Sequence, residues 1–334
     1  MEFRTEVSVD PSHHPISYGS AIAMFGSCFS DSAAQRLSDR FFSVMANPLG
    51  TLYNPASIAD CLDRIAECRL LSADDLFASE GRFHTFACHS SLSMTDRDEM
   101  LSAINSRIES AHRFIESATH LIITSGTAWV YRLASTGRIV ANCHKQPSSM
   151  FSRSMLSPGQ CADHLAQAIE SARRINPSLT IILTVSPIRH LSNGAHGNNL
   201  SKSTLLLACD RIAGSISDTE YFPAYEIVMV DLRDYRFYAP DMCHPSEQAV
   251  DYVFSKFSEA YCSTSTQTLA KRCLKLRKRL DHRQMTTDPA TIARFNDATA
   301  SLARTLAAEH PALLARLQPV ITHLSQETSS LHSI

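Results

Sequence analysis

Ala21-Ile22-Ala23-Met24-Phe25-Gly26-Ser27-Cys28-Phe29-Ser30-Asp31 is the stretch on which the fold turns. Its five leading apolar residues suit a buried strand, Gly26 permits a sharp turn, and a helical pattern is expected over 31–41. A strand running through a small-residue turn into a helix lifts a side chain above the carboxyl edge of a sheet, where α/β folds place their ligands. The same turn sets Ser27 and Cys28 beside a helix N-terminus, whose dipole favours a thiolate or an oxyanion. Taken alone, a single cysteine in apolar surroundings is more often a packing residue.

Working outward, the rhythm repeats. Short apolar runs at 120–124, 180–185 and 226–231 read as further strands, and helical patterns cover 57–70, 96–118, 158–175 and 201–215. Ser57 is the expected N-cap of the first of these helices, and Pro177 stops the one ending near 175. Strands alternating with helices predict an α/β fold with a mostly parallel central sheet covered by helices. Two irregular runs, 71–94 and 131–156, are longer than ordinary connections and are expected to be functional or flexible. Beyond Tyr261 strand signals stop, and a helix-rich tail follows over 269–324 with one interruption at 286–289. The expected division is therefore 1–262 as the main α/β domain and 263–334 as a helical C-terminal extension.

Composition narrows the function classes. With 44% hydrophobic and 19% charged residues the chain can bury a core, and a net charge of −2 gives no pull toward nucleic acid or an anionic membrane. No basic and apolar leader opens the sequence, and no apolar run reaches membrane-spanning length, so a cytoplasmic protein is expected. Ten cysteines stand singly rather than in the close pairs of a zinc site, and reduced thiols fit that compartment. His84 and His89 lack a third ligand at sensible spacing, so no metal is expected.

A second motif, Asp241-Met242-Cys243-His244-Pro245-Ser246, precedes a helix expected over 247–257. Asp and His three residues apart can share one turn. The carboxylate then supports one imidazole nitrogen while the other faces a nucleophile. Acyl transfer needs that arrangement because the imidazole must take a proton and carry positive charge beside a fixed anion. A plain alternative is that both residues merely satisfy a turn and cap the helix.

The chain resembles the GSCFA-domain family, grouped with the SGNH/GDSL hydrolases. The resemblance rests on Gly26-Ser27-Cys28-Phe29, Asn47-Pro48-Leu49-Gly50-Thr51-Leu52-Tyr53-Asn54-Pro55, Gly126-Thr127-Ala128-Trp129-Val130-Tyr131-Arg132, Ala141-Asn142-Cys143-His144-Lys145, Ser186-Pro187-Ile188-Arg189-His190 and the run from Asp231 into Asp241 and His244. The superfamily resemblance implies a three-layer α/β/α flavodoxin-like fold of SGNH type, whose first motif is Gly-Asp-Ser and whose last is Asp-x-x-His. It sets Cys28 at the nucleophile position, leaves Ser27 as the alternative, and matches Asp241 and His244 to the last motif. Gly50 is similar to the glycine whose N–H joins that of the nucleophile residue in the oxyanion hole. Where the superfamily carries Gly-x-Asn, Gly126-Thr127-Ala128 stands instead, so an amide donor is missing. Losing one such donor typically costs a factor of about a hundred or more, so Thr127 or Asn142 is expected to replace it.

His144, Arg189 and His190 are expected to bind substrate near the same edge. The stretch that follows, with Asn193, His196, Asn198, Asn199 and Lys202, reads either as polar groups for a sugar hydroxyl, phosphate or carboxylate or as a solvated loop with a helix start at Ser201. Trp129 and Tyr131 are stacking or packing aromatics. The basic run Lys271, Arg272, Lys275, Arg277, Lys278, Arg279 and Arg283 reads as a solvated helix face. The resemblance implies an acyl-ester hydrolase using a Cys (or Ser)-His-Asp site on a small-molecule or glycan acyl substrate. Two alternatives stand beside it: an acyltransferase in polysaccharide modification, the only reading with room for coenzyme A, and a ligand-binding member without catalysis. No other cofactor is expected, since neither a Walker loop nor a dinucleotide glycine fingerprint is present.

Overall fold

In the computed structural model, residues 5–331 are described; residues 1–4 and 332–334, the outer ends of the two expected segments, lie outside the described residues. In chain order the elements begin with β1 (Ala21–Gly26), α1 (Cys28–Ser38), β2 (Ser43–Ala46), α2 (Pro55–Ala66), β3 (Phe77–Ser79), β4 (Arg82–His84), α3 (Arg97–Ser117) and β5 (His120–Ser125). They continue with β6 (Trp129–Leu133), β7 (Ile139–Val140), β8 (Phe151–Met155), α4 (Pro158–Ile175), β9 (Thr180–Val185), α5 (Gly194–Ala213), β10 (Thr219–Tyr221), the single turn α6 (Ala224–Glu226) and α7 (Glu247–Tyr261). Three more helices close the chain: α8 (Thr264–Leu280), α9 (Pro289–Glu309) and α10 (Leu314–Leu331).

The main sheet is five-stranded and wholly parallel, in the order β2-β1-β5-β9-β10. That is the flavodoxin-like strand order, and its direction of winding reverses between β1 and β5. Strand alternation fills two layers. Ala23, Phe25, Leu121, Ile123, Ile181 and Leu183 face one core with residues of α2, α3, α4 and α5. Ile22, Met24, Ile122 and Ile182 face the other, against α1 and α7. The result is three-layer α/β/α, as the resemblance implied.

Several local expectations change. Residues 226–231 are not a strand: α6 runs into a π-helical turn, Ile227–Asp231, in which Ile227 and Val228 are buried while Met229 and Val230 are exposed. A buried pair followed by an exposed pair is not the period-2 pattern of a strand, and a short apolar run cannot distinguish the two. The fifth strand is β10, only three residues long. The N-cap of α2 is Asn54, whose Oδ1 accepts the Ser57 N–H at 2.8 Å, with Pro55 at the first helical position. Helix α1 begins at Cys28 rather than Asp31, and α5 begins at Gly194, converting most of the expected loop into helix. The irregular runs hold small antiparallel pieces, the β3–β4 hairpin and the sheet β7-β6-β8.

The C-terminal helices lie on the α1/α7 side. Cys273, Leu276, Leu306, Leu313 and Leu317 join Ile16, Tyr18, Phe41 and Phe42 in one apolar cluster, and Arg316 donates to the carbonyls of Tyr18 and Phe41 at 2.6 and 2.7 Å. Part of the basic run serves helix contacts: Arg272 pairs with Glu309 at 2.6 Å, and Arg279 donates to Thr299 Oγ1 at 3.0 Å. Among the described residues no helix is long and apolar enough to cross a membrane.

Candidate functional site

At the carboxyl end of β1 the backbone leaves no room for a side chain at position 26. Gly26 has φ +138°, and a Cβ there would stand 2.1 Å from the Thr124 carbonyl oxygen. Its N–H donates to Asn47 Oδ1 at 2.8 Å, and the Ser27 N–H donates to Thr124 O at 3.1 Å, so the turn is tied to β5 and to the segment after β2. Ser27 is then the N-cap residue of α1, fully buried, its Oγ without a hydrogen-bond partner among the described residues. Cys28 is the first residue of the helix and lines a cavity.

The second motif folds over that turn. Asp241 Oδ1 accepts the N–H groups of Cys243 and His244 at 2.9 and 3.0 Å, while Oδ2 meets His244 Nδ1 at 2.5 Å. His244 Nε2 is 3.6 Å from Cys28 Sγ. The geometry thus brings together Cys28, His244 and Asp241, and leaves Ser27 beneath them. Met242 at φ +56° makes the tight turn between the two acidic-basic partners. The Arg189 N–H donates to Cys243 O at 3.0 Å and its guanidinium to Met242 O at 3.3 Å, fastening the loop to the segment after β9. Bonds from the His244 and Cys243 backbone N–H groups and from the His244 ring hold the Asp241 carboxyl down at about 2.

The Cys28 thiol departs from the expectation that the helix N-terminus would favour a thiolate. Burial pushes its pKa up and is the largest influence; the Cys28 and Phe29 amides oppose it, and Asp31 adds to the rise. Here desolvation outweighs the helix N-terminus and favours the protonated thiol.

The expected oxyanion donors fare unevenly. Gly50 donates its N–H to Asn47 O at 2.8 Å, closing a turn. Thr127 donates its N–H to Tyr53 O at 2.8 Å, and its Oγ1 lies 3.0 Å from Ser201 Oγ. Both backbone groups are therefore already engaged. Asn142 lines the cavity; its Oδ1 accepts the His144 N–H at 2.8 Å, leaving Nδ2 unpaired among the described residues. His144 is not at the cavity: positive φ at His144 and Lys145 turns the chain, and the imidazole is buried with Nε2 on Thr85 O at 2.7 Å, beside His84. Its ring packs against Phe77, His84 and Phe86, away from the cavity lining where it was expected. Arg189 and His190 do line the cavity.

That cavity has a volume of about 920 Å³. Its far wall is built from β6 and β8, where the Arg153 guanidinium lies 4.4 Å over the Trp129 ring and 5.3 Å from that of Tyr131. Arg189 is similarly set against Tyr238 at 5.3 Å. Neither arginine has a carboxylate partner among the described residues. Among the described residues no cluster of three metal-ligating side chains occurs.

Lys202 is the residue that sequence reasoning misplaced most. It is 1% exposed, and its Nζ donates to Gly126 O at 2.6 Å and Ser186 O at 2.7 Å, bridging the ends of β5 and β9. Burial lowers its pKa to about 7. A helix read from residue 194 would have shown Asn198, Ser201, Lys202 and Leu205 on one face, the signal that could have found it.

The GSCFA family model matches residues 21–257, and the chain belongs to that family. Among solved structures, a carbohydrate esterase family 3 protein from Talaromyces cellulolyticus aligns over 75% of this chain and 98% of its own, with 5% identity and a TM-score of 0.35. No curated protein matches the chain.

Proposed function

We propose that this GSCFA chain hydrolyses acyl esters of small polar molecules, carbohydrates among them, through Cys28, His244 and Asp241. The observation that carries the reading is the continuous relay from Asp241 Oδ2 through the His244 ring to Cys28 Sγ, with contacts of 2.5 and 3.6 Å, opening on a cavity large enough for a substrate. His244 takes the thiol proton as sulfur attacks the acyl carbon, and returns it to the departing alkoxide, leaving an acyl thioester and a free alcohol. Water then attacks the thioester, giving its proton to His244, and the carboxylic acid leaves as the thiol is restored. Asp241 holds the imidazole tautomer and balances its charge. The Cys28 N–H at the start of α1 faces the developing oxyanion. The rings and guanidinium of Trp129, Tyr131 and Arg153, with the Asn142 amide, suit a hydroxyl-rich alcohol portion.

The cavity volume supports a second outcome for the same thioester. A sugar hydroxyl seated there would take the acyl group in place of water, which is acyl transfer, and coenzyme A could then act as donor. Turnover of p-nitrophenyl acetate, with mass spectrometry of the acetylated protein, tests the reading. Acetyl on Cys28 is expected in quenched wild-type samples. Full turnover by Cys28→Ala and His244→Ala would overturn it.

A further inference from the structure

The family pattern leaves an amide donor unaccounted for at Ala128, which is fully buried and whose N–H is held by Ser201 Oγ at 2.8 Å. A different side chain reaches the space beside the nucleophile turn. We propose that His190 supplies the missing oxyanion donor, through Nε2–H, from the segment after β9. The inference rests on the reading of Cys28 as nucleophile.

Three observations carry it. A Cβ built on Gly126 would stand 3.2 Å from His190 Nε2 and 3.4 Å from Ser27 Cβ, so the imidazole tip occupies the space a side chain at 126 would fill, next to the residue preceding Cys28. That Nε2 is buried and has no hydrogen-bond partner among the described residues, although His190 lines the same cavity as Cys28 and His244. Buried polar atoms are nearly always paired, and one left open beside a nucleophile matches a partner that arrives with the substrate. Finally, both the segment and the ring are held: Asn198 Oδ1 accepts the His190 backbone N–H at 2.9 Å, and the Tyr53 ring packs edge-on against the imidazole at 5.8 Å between centroids.

The charge state suits a donor. Burial, then the positive charges of Lys202 and His244, lowers the His190 pKa to about 4. The ring is therefore neutral at physiological pH and does not compete with His244 as the base. A neutral imidazole polarising a carbonyl is an established catalytic device. Asn142, whose side-chain amide also lines the cavity, comes from the loop after β7.

The test separates chemistry that makes an oxyanion from chemistry that does not. A small aldehyde adds to the Cys28 thiol to give a hemithioacetal, the sulfur bonding the carbonyl carbon while its oxygen becomes an alkoxide or hydroxyl. Iodoacetamide alkylates the same sulfur with loss of iodide and no oxyanion. His190→Ala is expected to lower kcat for p-nitrophenyl acetate about 100-fold, with KM changed less than about threefold, and to weaken aldehyde binding comparably. Its iodoacetamide rate should stay within about twofold of wild type. His190→Gln, which restores an N–H donor, should recover at least roughly tenfold of the loss, and Asn142→Ala should raise KM rather than lower kcat. Equal slowing of alkylation would make His190 a positioning residue for Cys28 and overturn the proposal, as would unchanged aldehyde binding. If no ester is turned over, aldehyde capture by wild type and its loss in His190→Ala still decide the question; failure of both reactions in wild type sinks the nucleophile reading and this proposal with it.

Discussion

The loop 241–246 and the strand ends beneath Cys28 face each other across the Cys28 sulfur and treat charge in opposite ways. The loop is solvated: the side chains of Asp241 and His244 are each about half exposed, at 49% and 50%, and the carboxylate is stabilised by hydrogen bonds rather than by burial. The floor is dry: Ser27 and Ser186 are fully buried, and Lys202 crosses under them with two carbonyl acceptors as its hydrogen-bond partners among the described residues. The groups proposed to handle protons sit where water can stabilise either state. The group that fixes the strand ends sits where its geometry is tightly determined. A site divided in this way predicts that substitutions on the loop change rate, while those in the floor change stability.

The largest effect is expected at the meeting point. Cys28→Ala and His244→Ala should each lower ester turnover by about 10³-fold or more, with melting temperatures near that of wild type. Ser27→Ala is the sharpest contrast, one residue away: its hydroxyl is buried and unbonded, so turnover should stay within roughly threefold. A Ser27→Ala variant that folds but is dead would reverse the assignment of nucleophile.

Next comes Asp241→Asn. The amide cannot balance an imidazolium and favours the wrong tautomer, so kcat should fall by about 10²–10⁴-fold with thermal stability little changed. Because Asp241 stays ionised down to about 2, its own titration should leave no limb in the wild-type rate profile above pH 4. An acid limb that disappears in Asp241→Asn would contradict that ionisation state.

How much of this contrast can be read from sequence follows from the same division. The β1 turn and the Asp-x-x-His motif are local and contiguous, so Cys28, Asp241 and His244 are legible in short strings. Alternation and helical periodicity expose the layers equally well, because burial on one face is a local pattern. The floor is different. Lys202 matters through two carbonyls 16 and 76 residues away, and no string near it announces them. The spacing between 219 and 231 shows the other limit: β10 is too short to have a period, and the louder apolar run beside it folds as a π turn against the core. Asn198 is misread for a third reason, since reading α5 as starting at Ser201 rather than Gly194 places it in a loop.

A prediction in stability rather than rate tests the floor. Lys202→Met leaves the carbonyls of Gly126 and Ser186 without a donor, at a cost of about 2–4 kcal/mol, partly offset by removing a buried ammonium. The offset depends on pH, and its sign is fixed by linkage. Folded Lys202 loses its proton near 7, whereas the unfolded chain holds it to the ordinary value of 10.5. Between those values the unfolded state binds more protons, so wild-type stability rises with pH across that window and is flat below it. A neutral amine still has two N–H groups for its two acceptors. The gap between wild type and Lys202→Met, measured by urea unfolding, should therefore widen from pH 7 to 9. A constant gap would show that Lys202 keeps its charge in the fold.

The smallest effect returns to the sulfur itself, where the two regions touch. Burial raises the Cys28 pKa, so a resting thiol rather than a thiolate is expected at neutral pH. The rate of iodoacetamide alkylation at Cys28 should keep climbing as pH passes the ordinary thiol value of 9.0, instead of levelling near neutrality. Alkylation of solvent-exposed Cys68 serves as the internal control for reagent quality. An early plateau at Cys28, abolished in His244→Ala, would mean that the half-exposed imidazole already holds the proton before substrate arrives. Solvated rim and dry floor would then share one ion pair at rest, and the separation of proton-handling groups from fixed ones would fail at the atom that matters most.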